Sequence, residues 1–452
     1  MTAVTRPGAG RDSVGSTSVT GGHTRDVADN ARRLGAIALL RSNPQLRWLF
    51  CAQVVSYMGD WFAYVAITGR VQDLTGSRFL VSLLSVLEML PYFLLSPVAG
   101  AFADRFDRKR IILIASLSQV VAALGMLLVR SSGTVWLGCV SVALIAGLAS
   151  FVAPATQAAI PNLARNNDEM QTATALFGAM WGVMLAVGAA IGGVFAWAFG
   201  RDAAFVANSV SFALAAAFVV LVTVPMQGER QRTGRVKPIA DMIEAARYAN
   251  KDRVILSLLA SKTVAAVGMG VIGIIVVFAR NELHGGDATS GLLLAVRGVG
   301  AAVGPVLMLR FIGSRMSRLI QVCAVSGILF GVGYIVVSAS NSVVLAVIGI
   351  FIAHIAAGGE WAVSTYGLQM RAPDEIRGRI LAGDYAIATL VLAVAGLAAG
   401  ALAEAANSTR TALFSFALAS ALAAVLYLVL TRAQCRRLAV EEDAAAPTPN
   451  PT

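Results

Sequence analysis

Five residues stand out because they carry charge where charge is expensive. Asp60, Glu88, Lys262, Arg297 and Glu360 each sit inside a long apolar stretch. A charged side chain at the centre of a membrane-spanning helix costs about 2.5–3.5 kcal/mol on insertion scales, so such residues face a cavity or one another. Gln53, Tyr57, Asp60, Tyr64 and Thr68 recur at three- and four-residue spacing, which draws one polar stripe down a helix. Glu88 shares a helix face with Ser85, Tyr92 and Ser96. A carboxylate withdrawn from water can exchange its proton near neutral pH, so Asp60 and Glu88 are the leading proton or cation sites. Lys262 and Arg297 have two readings. They neutralise carboxylates across a cavity, or they hold an anionic group of a substrate. Glu360 and Trp361 are adjacent, with His354, Trp361, Thr365 and Gln369 on one face and Glu360 about a third of a turn away. Trp361 can stack on an aromatic or cationic ligand, although packing is its plainer role. His354 reads more simply as a satisfied interior group. Asp384, which follows Arg377 and Arg379, is expected to pair with them.

The elements that carry these residues follow from composition. Of 452 residues, 57% are apolar and 13% charged, against about 25% charged in an ordinary soluble domain. Mean hydropathy is +0.73. That excludes a disordered chain, a disulfide scaffold and a nucleic-acid module. The four cysteines are far apart and the three histidines scattered, so neither metal nor cofactor is expected. No soluble-enzyme motif is present, and the chain does not read as an enzyme.

Twelve apolar stretches each approach the ~20 residues that a helix needs to cross about 30 Å of hydrocarbon. They run near 47–69, 79–102, 111–130, 134–158, 171–198, 202–224, 254–279, 288–309, 317–338, 341–368, 377–403 and 408–431. Helices are expected because lipid offers backbone groups no partners. Placing both termini in the cytoplasm puts 28 of the 36 Lys and Arg inside and 6 in outer loops, the asymmetry that sets orientation. Residues 1–46 form a polar, mostly disordered tail with a short helix near 30–41. Residues 47–224 form a six-helix half, and 225–253 a basic cytoplasmic linker with an amphipathic stretch at 239–248. Residues 254–431 form a second half, and 432–452 a cytoplasmic tail, acidic and disordered from Glu441. Asp168-Glu169 recurs as Asp374-Glu375, a faint internal repeat of a kind known in transporters. The fold class is an all-α membrane protein of two six-helix pseudo-repeats.

The loop after the second stretch reads Gly100-Ala-Phe-Ala-Asp104-Arg105-Phe-Asp107-Arg108-Lys109-Arg110. It resembles the signature loop of the major facilitator superfamily, G-x-L-A-D-R-x-G-R-K, with Asp107 where that family often has Gly. Gly59-Asp60-Trp61, Phe151-Val-Ala-Pro154 through Pro161, and Pro373-Asp-Glu-Ile-Arg377-Gly378-Arg379 look like the drug–proton antiporter branch that includes macrolide exporters and the enterobactin exporter. The fifth stretch has Gly188-Ala-Ala-Ile-Gly192-Gly193 where those antiporters usually carry Gly-Pro.

The resemblance implies the major facilitator fold and secondary active transport by alternating access. The expected function is proton-coupled export of small amphipathic compounds, such as macrolides, across the plasma (inner) membrane. Partners would be a small-molecule substrate, protons and membrane lipid, with the chain a monomer. The alternatives are a specific exporter of an anionic siderophore or lipid, and a non-transporting membrane sensor or assembly partner. The signature loop implies a cytoplasmic gate. Gly100 permits close approach, and Asp104 accepts bonds at the start of the eleventh helix near Arg377. Arg105 belongs to the same gate, and Arg108 and Lys109 pair with carboxylates or lipid phosphate.

The orientation has a direct test. A green fluorescent protein fused after Thr452 is expected to fluoresce, and alkaline phosphatase inserted at Gly133 to be active. The reverse pattern would invert the topology.

Overall fold

A chain this apolar can satisfy its backbone in lipid only by closing every hydrogen bond within a helix. The structure, a computed structural model, describes residues 35–227, 246–312 and 315–444. Helix α1 (Ala36–Ser42) leads into α2 (Pro44–Thr75), α3 (Arg78–Arg105), α4 (Arg108–Gly125), α5 (Val135–Leu163), α6 (Asn167–Phe199) and α7 (Arg201–Val220). The second half contains α8 (Arg253–Met269), α9 (Ile275–Asn281), α10 (Asp287–Ile312), α11 (Met316–Ala339), α12 (Val343–Arg371), α13 (Asp374–Ala405) and α14 (Thr409–Ala444). No strand occurs among the described residues. The expected tail 1–34, the linker over 228–245 and the end from 445 lie outside the described residues, and of the amphipathic stretch only its helical end at 246–248 is described.

Eleven of the described helical segments are long and apolar enough to cross a membrane. The twelfth, α2, spans 32 residues but is diluted by its polar stripe. The helix that falls short is thus the one whose polar face was expected to line a cavity.

Two boundaries differ from expectation. The seventh stretch is not one helix: a 3-10 segment, Gly270–Ile274, separates α8 from α9. The break follows from crowding, because a Cβ on Gly270 would lie 2.6 Å from the Ala395 carbonyl carbon and one on Gly273 2.8 Å from Ser82 Oγ. Helix α14 continues to Ala444, well past the expected end at 431. Its acidic last turns are held because Glu442 accepts from Met316 N and Ser317 Oγ, both at 2.6 Å, and Asp443 pairs with Arg315 at 2.8 Å. Free N–H groups at the start of α11 and a helix-favouring Ala/Glu sequence account for the extension.

The halves meet along two helix pairs, α6 with α10 and α3 with α13. Glycine permits the first. A Cβ on Gly298 would sit 2.6 Å from Ala186 N, and one on Gly193 2.8 Å from the Gly291 Cα. At one end the pairs are tight, as Ser82 Oγ donates to Gly396 O at 2.6 Å. Gly100 lies about five turns along the same face of α3, and a Cβ there would meet nothing within 4 Å. Gly182 on α6 likewise faces open space. The halves therefore diverge toward the signature-loop end and close at the opposite end.

Asn43 joins three helices at the signature-loop end. Its Oδ1 caps α2 by accepting from Gln45 N and Leu46 N. Its Nδ2 donates to Leu163 O at 2.9 Å and to Glu169 Oε2 at 2.8 Å. Burial pushes the Glu169 carboxyl up, but bonds from Arg165 N, Asn43 and the Arg165 guanidinium outweigh it and hold the group below the usual glutamate range. A depressed carboxyl stabilises the fold above its ordinary pKa, and that contribution is lost as pH falls through its own lower value. Asn43→Ala is expected to destabilise the protein by about 1–3 kcal/mol. Glu169→Gln should lower the melting temperature in detergent at neutral pH, with the gap to wild type closing only in acid below the ordinary glutamate range. A gap independent of pH would refute the ionic role.

Candidate functional site

A cavity of about 470 Å³ lies between the halves, within the range of small-molecule sites. The α2 stripe supplies Tyr57, Asp60, Trp61 and Tyr64, and α3 supplies Ser85, Glu88, Met89 and Tyr92. From the other half come Ile272, Arg297, Tyr385 and Thr389. The remaining wall is largely small and apolar, with Ala146, Ala149 and Ala153 of α5. Four expected site residues, Tyr57, Asp60, Tyr64 and Glu88, thus meet Arg297 around one space.

Their bonding is unusual for charges in a membrane interior. Tyr64 Oη and Ser85 Oγ share a hydrogen bond of 2.6 Å that joins α2 to α3. Asp60, Glu88 and Arg297 have no hydrogen bond or ion pair with any described side chain. Glu88 is within electrostatic reach of both Asp60 and Arg297. Beside Asp60 a niche of about 20 Å³ is lined by Gln53, Ser56, Ser116 and Gln119, large enough for one water with polar partners. The cavity wall therefore offers two carboxylates and one guanidinium to whatever enters.

Lys262, Glu360 and Trp361, expected at the same site, lie elsewhere. Lys262 forms an ion pair with Asp384 and donates to Thr365 Oγ1 at 2.8 Å. Its ammonium lies 4.7 Å from the Trp361 ring centroid. Asp384 is therefore not partnered as expected with Arg377 and Arg379; it is 3% exposed and turned into the bundle toward the buried Lys262. The same contact gives Trp361 a cation within its own chain. His354 shares a 2.9 Å hydrogen bond with Tyr334 Oη, the interior role expected for it.

The signature loop also departs from expectation. Arg108 donates to the carbonyls of Ala158 at 2.7 Å, Met226 at 3.1 Å and Ala103 at 3.2 Å. Lys109 donates to Val220 O and Val222 O. Both bind main-chain carbonyls rather than carboxylates, those of Ala103 and Val220 in the last turns of α3 and α7, where the dipole favours cations. Asp107 caps α4 through Arg110 N at 2.8 Å, a role glycine could not fill. Arg105 is exposed, Arg377 Nε donates to Ala372 O at 3.2 Å, and the Asp104 side chain lies outside the described ones. Gly100 makes no close approach in this state, because the halves have separated at its end.

The contact that closes the opposite end was not foreseen. Asp73 and Arg201 of the first half and Arg280 and Asp287 of the second form a ring of alternating charge. Arg201 pairs with Asp73 at 2.8 Å and with Asp287 at 2.9 Å, and Arg280 pairs with Asp287 at 2.8 Å and with Asp73. Gln72 adds a bond of 3.3 Å to Asn281. Gly69 leaves room for Asp287, whose carboxylate a Cβ would strike. The sequence signal was available: four charges, each within a few residues of a helix end, which orientation counting treats only as loop charge.

Removing the Asp287 carboxylate should open this end. In a background lacking the four native cysteines, Ile67→Cys reports the change, since Ile67 lines the cavity and is fully buried. Asp287→Asn is expected to raise its labelling by an impermeant thiol reagent, added from the side of the ring, about tenfold, the effect of about 1.4 kcal/mol. An unchanged rate would show that the ring does not hold the end closed.

Comparison with known proteins agrees with this architecture. The staphyloferrin A transporter of Staphylococcus aureus is 22% identical over 353 residues, 74% of this chain and 84% of that protein. The multidrug efflux pump Tap of Mycolicibacterium fortuitum is 23% identical over 382 residues, covering 82% and 92%. A bacterial homologue of the human lysosomal transporter Spinster, solved inward-facing and unoccupied, superposes with a TM-score of 0.69 at 16% identity, over 86% of this chain and 97% of that one. That likeness establishes the fold alone. The family model for transmembrane secretion effectors matches residues 35–451. The chain is a multi-pass membrane transporter that belongs to the transmembrane secretion effector family of the major facilitator superfamily.

Proposed function

We propose that this transporter exports small amphipathic compounds across the plasma membrane, driven by inward proton flow and alternating access. The observation that carries the reading is the set of three charges, Asp60, Glu88 and Arg297, with no hydrogen bond or ion pair among the described residues, in the wall of one largely apolar cavity between the halves. Charges that serve packing alone are paired in a membrane interior; these are exposed to cargo and solvent. A proton on Asp60 or Glu88 changes which cavity charges are compensated, and so biases the equilibrium between states open at either end. The mostly apolar wall surface suits a range of amphipathic cargoes. The likeness to a multidrug efflux pump supports that range. With both termini cytoplasmic, the state seen here is open to the cytoplasm, where an exporter loads.

A second reading rests on Arg297. It is the one cavity cation without a close partner among the described residues, and it fits a carboxylate-bearing siderophore or a lipid headgroup. The likeness to a staphyloferrin A transporter favours this reading. Lys262, neutralised by Asp384, does not contribute to it.

The test uses inside-out vesicles with an acidified lumen and a pH-sensitive dye. Macrolides, tetracyclines, fluoroquinolones and siderophores are added in turn. Substrate-dependent proton leak is expected in wild type, falling at least tenfold in Asp60→Asn or Glu88→Gln. Leak driven only by siderophores and lost in Arg297→Gln would select the second reading. Compound uptake without proton movement would overturn the coupling.

A further inference from the structure

A second ionic cluster lies within the C-terminal half, one layer behind the cavity. Lys262 of α8 pairs with Asp384 of α13, bonds Thr365 of α12 and rests over Trp361. Glu360, beside Trp361, turns toward α8, where its Oε1 accepts from Ser261 Oγ at 2.9 Å. Its Oε2 is buried and has no hydrogen-bond partner among the described residues. Lys262, Glu360 and Asp384 are 2%, 1% and 3% exposed. Two further titratable groups face Glu360, Cys323 of α11 and Tyr427 of α14. The Tyr427 hydroxyl is already committed to Ser257 O at 2.9 Å. Helix α10 brings the thioether of Met308, near Gly359. Lys262 is the only cation among these described neighbours.

Charge counting then points to a ligand. Two carboxylates and one ammonium leave a net negative charge in a buried interior. An ionised carboxylate oxygen with no donor is among the costliest arrangements a protein interior can hold, and an uncharged hydroxyl there costs less. One proton brings the cluster to neutrality, and the oxygen that lacks a donor is where it belongs. We propose that Glu360, Lys262 and Asp384 form a one-proton binding site in the C-terminal half, separate from the cavity carboxylates, with the proton on Glu360 in the state seen here.

Loss of that proton leaves Lys262 shared between two carboxylates and draws its ammonium away from Trp361. Trp361 meets Tyr385 edge-on, with ring centroids 6.2 Å apart, and Tyr385 stands in the cavity wall. Proton occupancy in the C-terminal half is thereby linked to cavity shape through one aromatic pair. The inference concerns proton binding alone and does not depend on the cargo or on its direction of movement.

Infrared difference spectroscopy of the full chain in lipid vesicles, without any substrate, tests it. Raising the pH is expected to bleach a protonated-carboxyl C=O band. One carboxyl's share of that band should be lost in Glu360→Gln and kept in the Asp60→Asn/Glu88→Gln double variant. Glu360→Asp, which keeps a carboxyl at the site, should restore a titrating band at shifted frequency, and it separates loss of the proton from loss of the fold. A Glu360→Gln spectrum identical to wild type would overturn the assignment. So would a band that vanishes entirely in the double variant, or one displaced by sodium at constant pH. Failure of the vesicle transport assay with an intact Glu360 band would count against the export reading and leave this site standing.

Discussion

Four alternating charges hold the two halves together at one end, and the cavity exists because they do so at one end only. Asp73, Arg201, Asp287 and Arg280 each bond to both neighbours of opposite sign in the ring. A network of this kind loses less side-chain freedom per contact than isolated pairs, which in water contribute little. Around the ring the helices approach as closely as glycine allows, α6 on α10 and α3 on α13. Away from it the same helix pairs separate, and the space between them is the cavity. In the alternating-access cycle proposed above, closing the other end would require breaking the ring.

Charges inside the bundle fall into two classes that composition alone does not separate. In the C-terminal half Lys262 and Asp384 are paired and buried, an arrangement whose desolvation cost is offset only by good geometry. In the cavity Asp60, Glu88 and Arg297 have walls but no hydrogen-bond or ion-pair partner among the described residues. The first class can couple helices within a half. The second can respond to what occupies the space between halves. Tyr385, next to Asp384 in sequence and exposed to the cavity, is where the two classes come nearest to one another.

Much of this was legible in the sequence, for physical reasons that also define what was not. Apolar length fixes helices, and the spacing of Gln53, Tyr57, Asp60 and Tyr64 fixes a face. The polar stripe on α2 lines a cavity, and the Glu88 face of α3 shares it, although the sequence did not say that the two faces meet. Facing between distant helices is not a periodic property. The sequence could not say that Lys262 meets Asp384 rather than Asp60, because that depends on how α8 and α13 rotate against each other. The basic residues of the signature loop were read as partners for acids. The structure assigns Arg108 and Lys109 to main-chain carbonyls, acceptors that every helix end provides and that no residue letter records. The break at Gly270–Ile274 was likewise hidden, since it arises from contacts with Ser82 and Ala395 on other helices.

The last turns of α14 have a practical bearing. Glu442 and Asp443 close the start of α11 from more than a hundred residues away, so the chain's apparent tail is a keystone of the second half. A shortened protein ending near residue 431, where the apolar stretch stops, would leave the N–H groups of Met316 and Ser317 without their acceptor. Protein prepared for purification or crystallisation should therefore keep everything through Ala444 and carry any tag beyond it.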